Sequence, residues 1–271
     1  MPKPALTLVV MTHNEAANIA RCLDSVPFAA EKIVVDCGST DATCDIARAH
    51  GAKVVHQDWL GFGPQRNFAT TQSSNDWILA LDADEYLSPE LAAELERRLP
   101  DVMDSDAAVG TLRRRTLFMG APMRWYRPMV GEKMTRLYHR DRARWHDVRV
   151  HESLTWDGAA VMFDAPFEHL HNPTLVHKGL KVIRYAELKA LDWRQKRRPP
   201  RMWDCPLVFA TSFIKDYVFR LAMLDGWRGF VVAQTAAAYA VYKRMRYYEM
   251  CVNPESVDMA AELMKRHGLD R

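Results

Sequence analysis

The chain has 271 residues, 48% apolar and 26% charged, the proportions of an ordinary globular protein with room for one large domain or a domain with an added lobe. Its five cysteines are scattered without a Cys-x-x-Cys pair, which excludes a zinc site of that kind and fits reduced thiols in the cytosol. The net charge of +3 is uneven: residues 1–105 hold 8 Lys+Arg against 16 Asp+Glu, and residues 106–271 hold 29 against 18, so the basic half is expected to meet an anionic partner such as a phosphorylated sugar, a lipid head group or nucleic acid.

Leu6–Met11 is apolar without alternation, which predicts a first strand buried on both faces; it is too short for a signal peptide. Thr12-His13-Asn14-Glu15 follows, then a helix with Ile19, Cys22, Leu23 and Val26 on one face. Lys32–Asp36 is a second strand running into Cys37-Gly38-Ser39-Thr40-Asp41, where Ser39 or Thr40 is placed to cap a helix that stops at Gly51. Lys53–His56 is a third strand, Asp58–Pro64 a glycine-rich loop, and Gln65-Arg66-Asn67 lies on the helix after it. Trp77–Leu81 is a fourth buried strand ending in Asp82, Asp84 and Glu85, before the helix start Ser88-Pro89-Glu90. A strand period of two would let Asp82 and Asp84 face one hard cation, and a solvated acidic turn is the competing reading.

This alternation predicts a parallel, doubly wound α/β sheet whose strand ends gather Thr12, Glu15, Asp36, Ser39 and Asp82 along one edge, the edge where such sheets bind ligands. Beyond Leu99 the pattern changes. Strands are expected at Val109–Phe118, Met134–His139 and Trp145–Leu154, and from about Pro173 the chain reads as helical. Three regions follow: 1–105, 106–172 and a helical extension over 173–271.

Val10-Met11-Thr12-His13-Asn14-Glu15, Val35-Asp36-Cys37-Gly38-Ser39-Thr40-Asp41, Gln65-Arg66-Asn67 and Leu81-Asp82-Ala83-Asp84-Glu85 together resemble the family 2 glycosyltransferases. That resemblance implies the nucleotide-sugar-binding fold called GT-A, a Rossmann-like, mostly parallel sheet with helices on both faces, carrying here a C-terminal helical extension. Within the family the chain is most similar to the lipopolysaccharide core β-1,4-glucosyltransferases of Gram-negative bacteria. The subgroup features are Val150-His151-Glu152 and the aspartate-glycine element Asp225-Gly226-Trp227-Arg228-Gly229-Phe230. Thr-His-Asn-Glu replaces the commoner Tyr-Asn-Glu, and the missing Gln-x-x-Arg-Trp element argues against processive synthases.

The resemblance implies that 1–105 is the nucleotide-sugar half and 106–172 the acceptor half of one GT-A domain. Asp36 would accept the uracil N3–H of a UDP-sugar, with Thr12, Asn14, Glu15 and Ser39 around the nucleotide; capping of the Gly38 turn is the rival role for Asp36. Arg66 would face the diphosphate, against an exposed helix arginine. Asp84 would hold Mg2+ or Mn2+, with Asp82 nearer the ribose or a metal-bound water, and His171 would complete the metal site or meet a phosphate. Glu152 is the expected general base of an inverting hexosyl transfer, with Glu85 as its alternative.

Arg113, Arg114, Arg115, Arg124 and Arg127 are candidates for acceptor phosphates, and Trp125, Tyr126 and Trp145 for sugar stacking or for the core. The acceptor implied is a glycolipid such as the lipopolysaccharide inner core, with polyprenyl phosphate or another envelope glycan as the alternative. The apolar run Gly229–Tyr242 is shorter than the roughly 20 residues of a membrane span. The run reads as an interfacial platform on the inner leaflet, as a docking surface for another subunit, or as part of a helical subdomain packed on the sheet. A cytoplasmic protein is expected, with peripheral contact at the inner face of the membrane as the first of these readings. A sugar-phosphate nucleotidyltransferase would place a glycine-rich basic loop after the first strand, where this chain is acidic. Nucleic acid is not an expected partner, because the acids at 36, 82, 84 and 152 oppose polyanion binding.

Overall fold

A computed structural model describes residues 4–146, 153–194 and 200–266. Four strands, β1 (Leu6–Thr12), β2 (Glu31–Asp36), β3 (Lys53–His56) and β4 (Trp77–Asp82), run parallel in the order β3-β2-β1-β4. All of β1 and the first five residues of β4 are buried, as strands covered on both faces require. Helices α1 (Ile19–Asp24), α2 (Thr43–Ala49), α3 (Phe62–Thr71) and α4 (Pro89–Met103) connect and cover them. The strand period sends Leu8, Val10, Leu79 and Leu81 into one core layer with Leu23 of α1, Ala47 of α2 and Leu95 of α4. Val9, Ile33, Ile78 and Ala80 enter the opposite layer with Ala69 of α3. Helices therefore lie on both faces of the sheet.

The sheet then becomes antiparallel. After β5 (Glu85–Leu87), β6 (Ala107–Phe118) and the short β7 (Ala121–Pro122), strand β8 (Glu132–His139) pairs with both β4 and β6. The order continues from β6 to β11 (Ala159–His171) and to β5.

The expected single strand over Trp145–Leu154 is instead two: β9 (Ala143–His146) and β10 (Ser153–Trp156) pair antiparallel with Trp145 opposite Leu154. Both side chains pack into the layer under α3, so the apolar periodicity was that of two facing strands. Asp82 and Asp84 are likewise not strand neighbours. The strand ends at Asp82, and Ala83-Asp84 turns the chain into β5, which must pair with β11. The cap of α2 also differs. Asp41 Oδ1 accepts the Thr43 N–H at 3.0 Å, while Ser39 and Thr40 turn toward Asn14. Helix α4 starts as expected, with Ser88 Oγ accepting the Leu91 N–H at 3.1 Å.

The chain forms two compact units, Met1–Thr116 with Gly131–Leu170 and Leu117–Val130 with His171–Arg271. Leu117–Val130 thus goes with the helical unit, although its sequence position lies inside the expected acceptor half. That second unit holds α5 (Leu175–Arg194), α6 (Cys205–Ile214), α7 (Gly226–Val252) and α8 (Ser256–Arg266). Among the described residues no helix is long and apolar enough to cross a membrane.

Gly229 marks the tightest approach in the second unit: a Cβ there would lie 1.6 Å from the Ala222 carbonyl oxygen. Ala222 is fully buried, so neither partner can move aside freely. Gly229→Ala should destabilise the protein by roughly 1–3 kcal/mol, the usual range for overpacking, read as a lower thermal midpoint. An unchanged midpoint would mean that α7 is not held against the 222–225 turn.

Candidate active site

The parallel register fixes the site before any side chain is considered. Thr12 pairs with Asp36, Met11 with Asp82, and Asp36 with His56, so the carboxyl ends of all four parallel strands share one edge. The loops after β1 and β2 are laced together there. Asn14 adopts φ +54°, a left-handed conformation that asparagine tolerates better than most residues. Its N–H donates to Ser39 Oγ at 2.8 Å, and its side-chain oxygen accepts the Thr40 N–H at 2.8 Å. The Glu15 N–H donates to Thr43 Oγ1 at 2.8 Å, and the Glu15 carboxylate accepts from Asn18 at 2.7 Å.

Asp36 is 5% exposed and accepts the N–H groups of Gly38 and Ser39, each at 3.0 Å. Burial pushes its carboxyl up, but hydrogen bonds from the Ser39 hydroxyl and N–H, the Gly38 N–H and the Cys44 thiol outweigh it and hold the group below its ordinary value. The capping role is therefore real. Both short backbone bonds go to Oδ2, and Oδ1 receives the Ser39 N–H at 3.3 Å. Beside Asp36, Thr12 is 4% exposed, and its buried hydroxyl meets no partner among the described residues.

At the end of β4 the acids divide into two classes. Asp82 accepts from Arg66 of α3 and from Arg136 of β8, each at 2.9 Å. Glu85, 1% exposed, accepts from the same Arg136 at 2.5 Å and from the Asp82 N–H at 3.1 Å. Desolvation opposes the charge on Asp82, but the two arginines overcome it and hold the carboxyl far below the usual range. For Glu85, burial prevails: it pushes the carboxyl up against the pull of Arg136, and the charge on Asp82 adds to the push. Arg66, 1% exposed, also lies over the Trp145 ring at 5.0 Å.

Asp84 is different: among the described residues no arginine or lysine pairs with it, its side chain is 27% exposed, and His169 Nε2 lies 3.4 Å from its Oδ2. Leu170 donates its N–H to the Asp84 carbonyl at 2.9 Å, which pins the turn.

The edge therefore unites Thr12, Asn14, Glu15, Asp36, Ser39, Arg66, Asp82 and Asp84 in one unit. Glu152 lies outside the described residues. His171 belongs to the second unit, where its ring centroid is 6.4 Å from that of Phe118. The exposed-arginine reading of Arg66 fails, since its guanidinium is buried against Asp82. Sequence reasoning missed Arg136, although an arginine inside the apolar strand Met134–His139 was a sign that a buried acid awaited it. It also passed over Trp59 on the loop after β3 and Phe62 at the start of α3, 51% and 59% exposed, whose rings meet edge-on 4.8 Å apart.

Asp84 and His169 do not form a metal cage, and no group of three or more His, Cys, Asp or Glu side chains suited to a metal occurs among the described residues. The Asp84 carboxylate is an oxygen ligand of the kind a hard cation takes, and the rest of such an ion's shell would have to come from a bound molecule and water.

Residues 7–170 match the model of glycosyl transferase family 2, and the chain belongs to that family. It is 29% identical over 265 residues to the lipopolysaccharide core biosynthesis glycosyltransferase LpsC of Rhizobium meliloti, covering 92% of this chain and 94% of that protein. It is 52% identical over 92 residues to an uncharacterized glycosyltransferase of Rickettsia bellii, but spans only 31% of that protein's length. The crystal structure of S. aureus TarS 1-349 aligns over 92% of this chain and 91% of that one, with 14% identity and a TM-score of 0.45.

Arg136→Met should remove about 3–5 kcal/mol of stability, the usual result of breaking a buried ion pair. Without its cation, Glu85 is pushed further above its ordinary value, so its ionisation costs stability as pH rises through that value and the cost vanishes below it. The deficit of the variant in urea midpoint should therefore narrow as pH falls from 7 toward 5. A deficit that does not change with pH would show that Glu85 is not ionised beside Arg136.

Proposed function

We propose that this family 2 glycosyltransferase moves a hexose, glucose first among candidates, from a UDP-sugar to a sugar hydroxyl of a glycolipid such as the lipopolysaccharide inner core, with inversion at the anomeric carbon. The observation that carries the donor assignment is the strand-end edge. There Thr12 and Asp36 stand side by side, while Asp84 faces His169 and, among the described residues, pairs with no arginine or lysine. The acceptor assignment is supported by the length of the match to the R. meliloti protein and the basic second half of the chain.

In this reading Asp36 accepts the uracil N3–H through Oδ1, the oxygen that the backbone of the Gly38 turn holds less closely. Thr12, Asn14, Glu15 and Ser39 shape the nucleoside pocket. Arg66 and Arg136 hold Asp82 ionised and in place toward the ribose; they are positioning residues. Asp84, with His169 beside it, would hold Mg2+ or Mn2+, which when bound acts as a Lewis acid and neutralises charge on the departing diphosphate. Glu85 is bound to Arg136 and shut from solvent, so it is a poor proton acceptor for an incoming hydroxyl. That leaves Glu152 as the base. The enzyme would work in the cytoplasm, at the inner face of the membrane that carries its acceptor.

Asp36→Ala should weaken UDP binding without unfolding the protein, whereas Asp84→Asn should lower turnover by several decades and retain part of the metal-free nucleotide binding. Thermal stabilisation by UDP-sugars and GDP-sugars, with and without Mn2+, reads both, because a ligand that binds only the native state raises the midpoint. Full UDP affinity in a folded Asp36→Ala variant would sink the donor assignment.

Glu152→Gln should reduce transfer by about 10²–10⁴-fold, the usual worth of a general base, and leave UDP-sugar and metal binding nearly intact. The check is turnover at saturating donor and acceptor. More than about a tenth of wild-type turnover would move the base elsewhere.

A further inference from the structure

The aspartate-glycine element of the tail lies in the second unit, where its aspartate is bonded to the main chain of a distant segment. The Asp225 carboxylate accepts three successive main-chain N–H groups, from Arg124 at 2.8 Å, Trp125 at 3.1 Å and Tyr126 at 2.8 Å. The Tyr126 hydroxyl donates to the buried Asp216 at 3.0 Å, and Arg220 holds the same carboxylate at 2.8 Å. The Arg127 N–H donates to the Arg220 carbonyl at 3.1 Å. Met123 and Tyr126 are buried in a cluster with Ala222 and Val232. Leu221, beside Arg220, sits at φ +64°, a strained conformation for a branched residue that persists only where its surroundings over-determine it.

This frame turns Met123 and Tyr126 inward and leaves Arg124, Trp125 and Arg127 outward. Trp125 is 53% exposed, and among the described residues no carboxylate pairs with the guanidinium of Arg124 or Arg127. The other arginines considered for the acceptor are committed elsewhere. Arg113 faces Asp164 at 4.0 Å, Arg114 binds Glu132, and Arg115 binds the buried Glu168.

We propose that Arg124, Trp125 and Arg127 are a recognition site for an anionic sugar of the acceptor, held in shape by Asp225. An indole face suits the apolar side of a pyranose ring. Two guanidinium groups suit a phosphate or carboxylate carried by the sugar, through paired charge-assisted hydrogen bonds. Loose basic and aromatic side chains would suffice for attraction to a lipid surface. A backbone fixed at successive N–H groups is instead what a shaped ligand requires, because pre-ordering removes part of the entropy cost of binding. The inference rests on the glycolipid-acceptor reading above.

The test uses the full chain and two probes, a phosphorylated, deacylated lipopolysaccharide core oligosaccharide and the same material after phosphatase treatment, with binding measured by calorimetry. Wild type should prefer the phosphorylated probe by about tenfold or more, the scale of one charge-assisted contact. The double variant Arg124→Ala/Arg127→Ala should lose that preference. Trp125→Ala should weaken both probes by a similar factor. UDP-induced thermal stabilisation should be unchanged in every variant. Arg124→Lys/Arg127→Lys, which keeps charge without the planar fork, should recover only part of the affinity. Wild-type probe binding in the double alanine variant overturns the site. So does a loss confined to anionic phospholipid vesicles, which would make the cluster a lipid contact. Absence of UDP-sugar binding in the wild type would overturn the donor reading itself and is seen in a separate channel.

Discussion

Two arginines between two acids set the terms for the nucleotide edge. Asp82 ends a strand whose other five residues are buried, and Glu85, 1% exposed, opens the next one, so both carboxylates sit where charge is costly without a partner. Arg66 arrives from a helix on one face of the sheet and Arg136 from the antiparallel neighbour of β4. The network therefore ties together the parallel half of the sheet, its antiparallel half and a covering helix. Each charge is tolerable only when all of these elements are in place, which makes the strand end rigid at the point where a cofactor or substrate would need it rigid.

The same network sorts the carboxylates by task. Those that meet arginine are spent on structure, and their ionisation is decided by the fold. Asp84, one residue before Glu85, escapes because the chain leaves the strand at Asp82 and turns before β5 begins. Asp36 stands between these extremes. It is anchored by the turn it caps, chiefly through Oδ2, and its neighbour on the adjacent strand is Thr12. Anchoring and recognition are compatible in one carboxylate, since backbone donors that hold it also keep it ionised.

Much of this was legible from residue patterns. Four unalternating apolar runs ending in polar residues were enough to place Thr12, Asp36 and Asp82 on one edge, because parallel strands all present their carboxyl ends on the same side of the sheet. What escaped depended on distant partners. The alternation over 145–154 could not show that Trp145 and Leu154 face each other across a pair of strands. Nothing near Arg136 in sequence names Asp82 or Glu85, which lie more than fifty residues away. Leu117–Val130 reads as part of the strand-rich half, and its membership of the helical unit follows from Asp225, a hundred residues downstream.

The grip of Asp225 on Arg124, Trp125 and Tyr126 runs through main-chain N–H groups, which every amino acid except proline supplies. The shape of that segment is consequently independent of what its outward side chains are. Positions 124, 125 and 127 can change identity over generations, or in a designed library, without disturbing the scaffold beneath them. Proteins built on this frame could diverge in the glycans they accept while the fold stays the same, much as binding loops vary on a fixed framework.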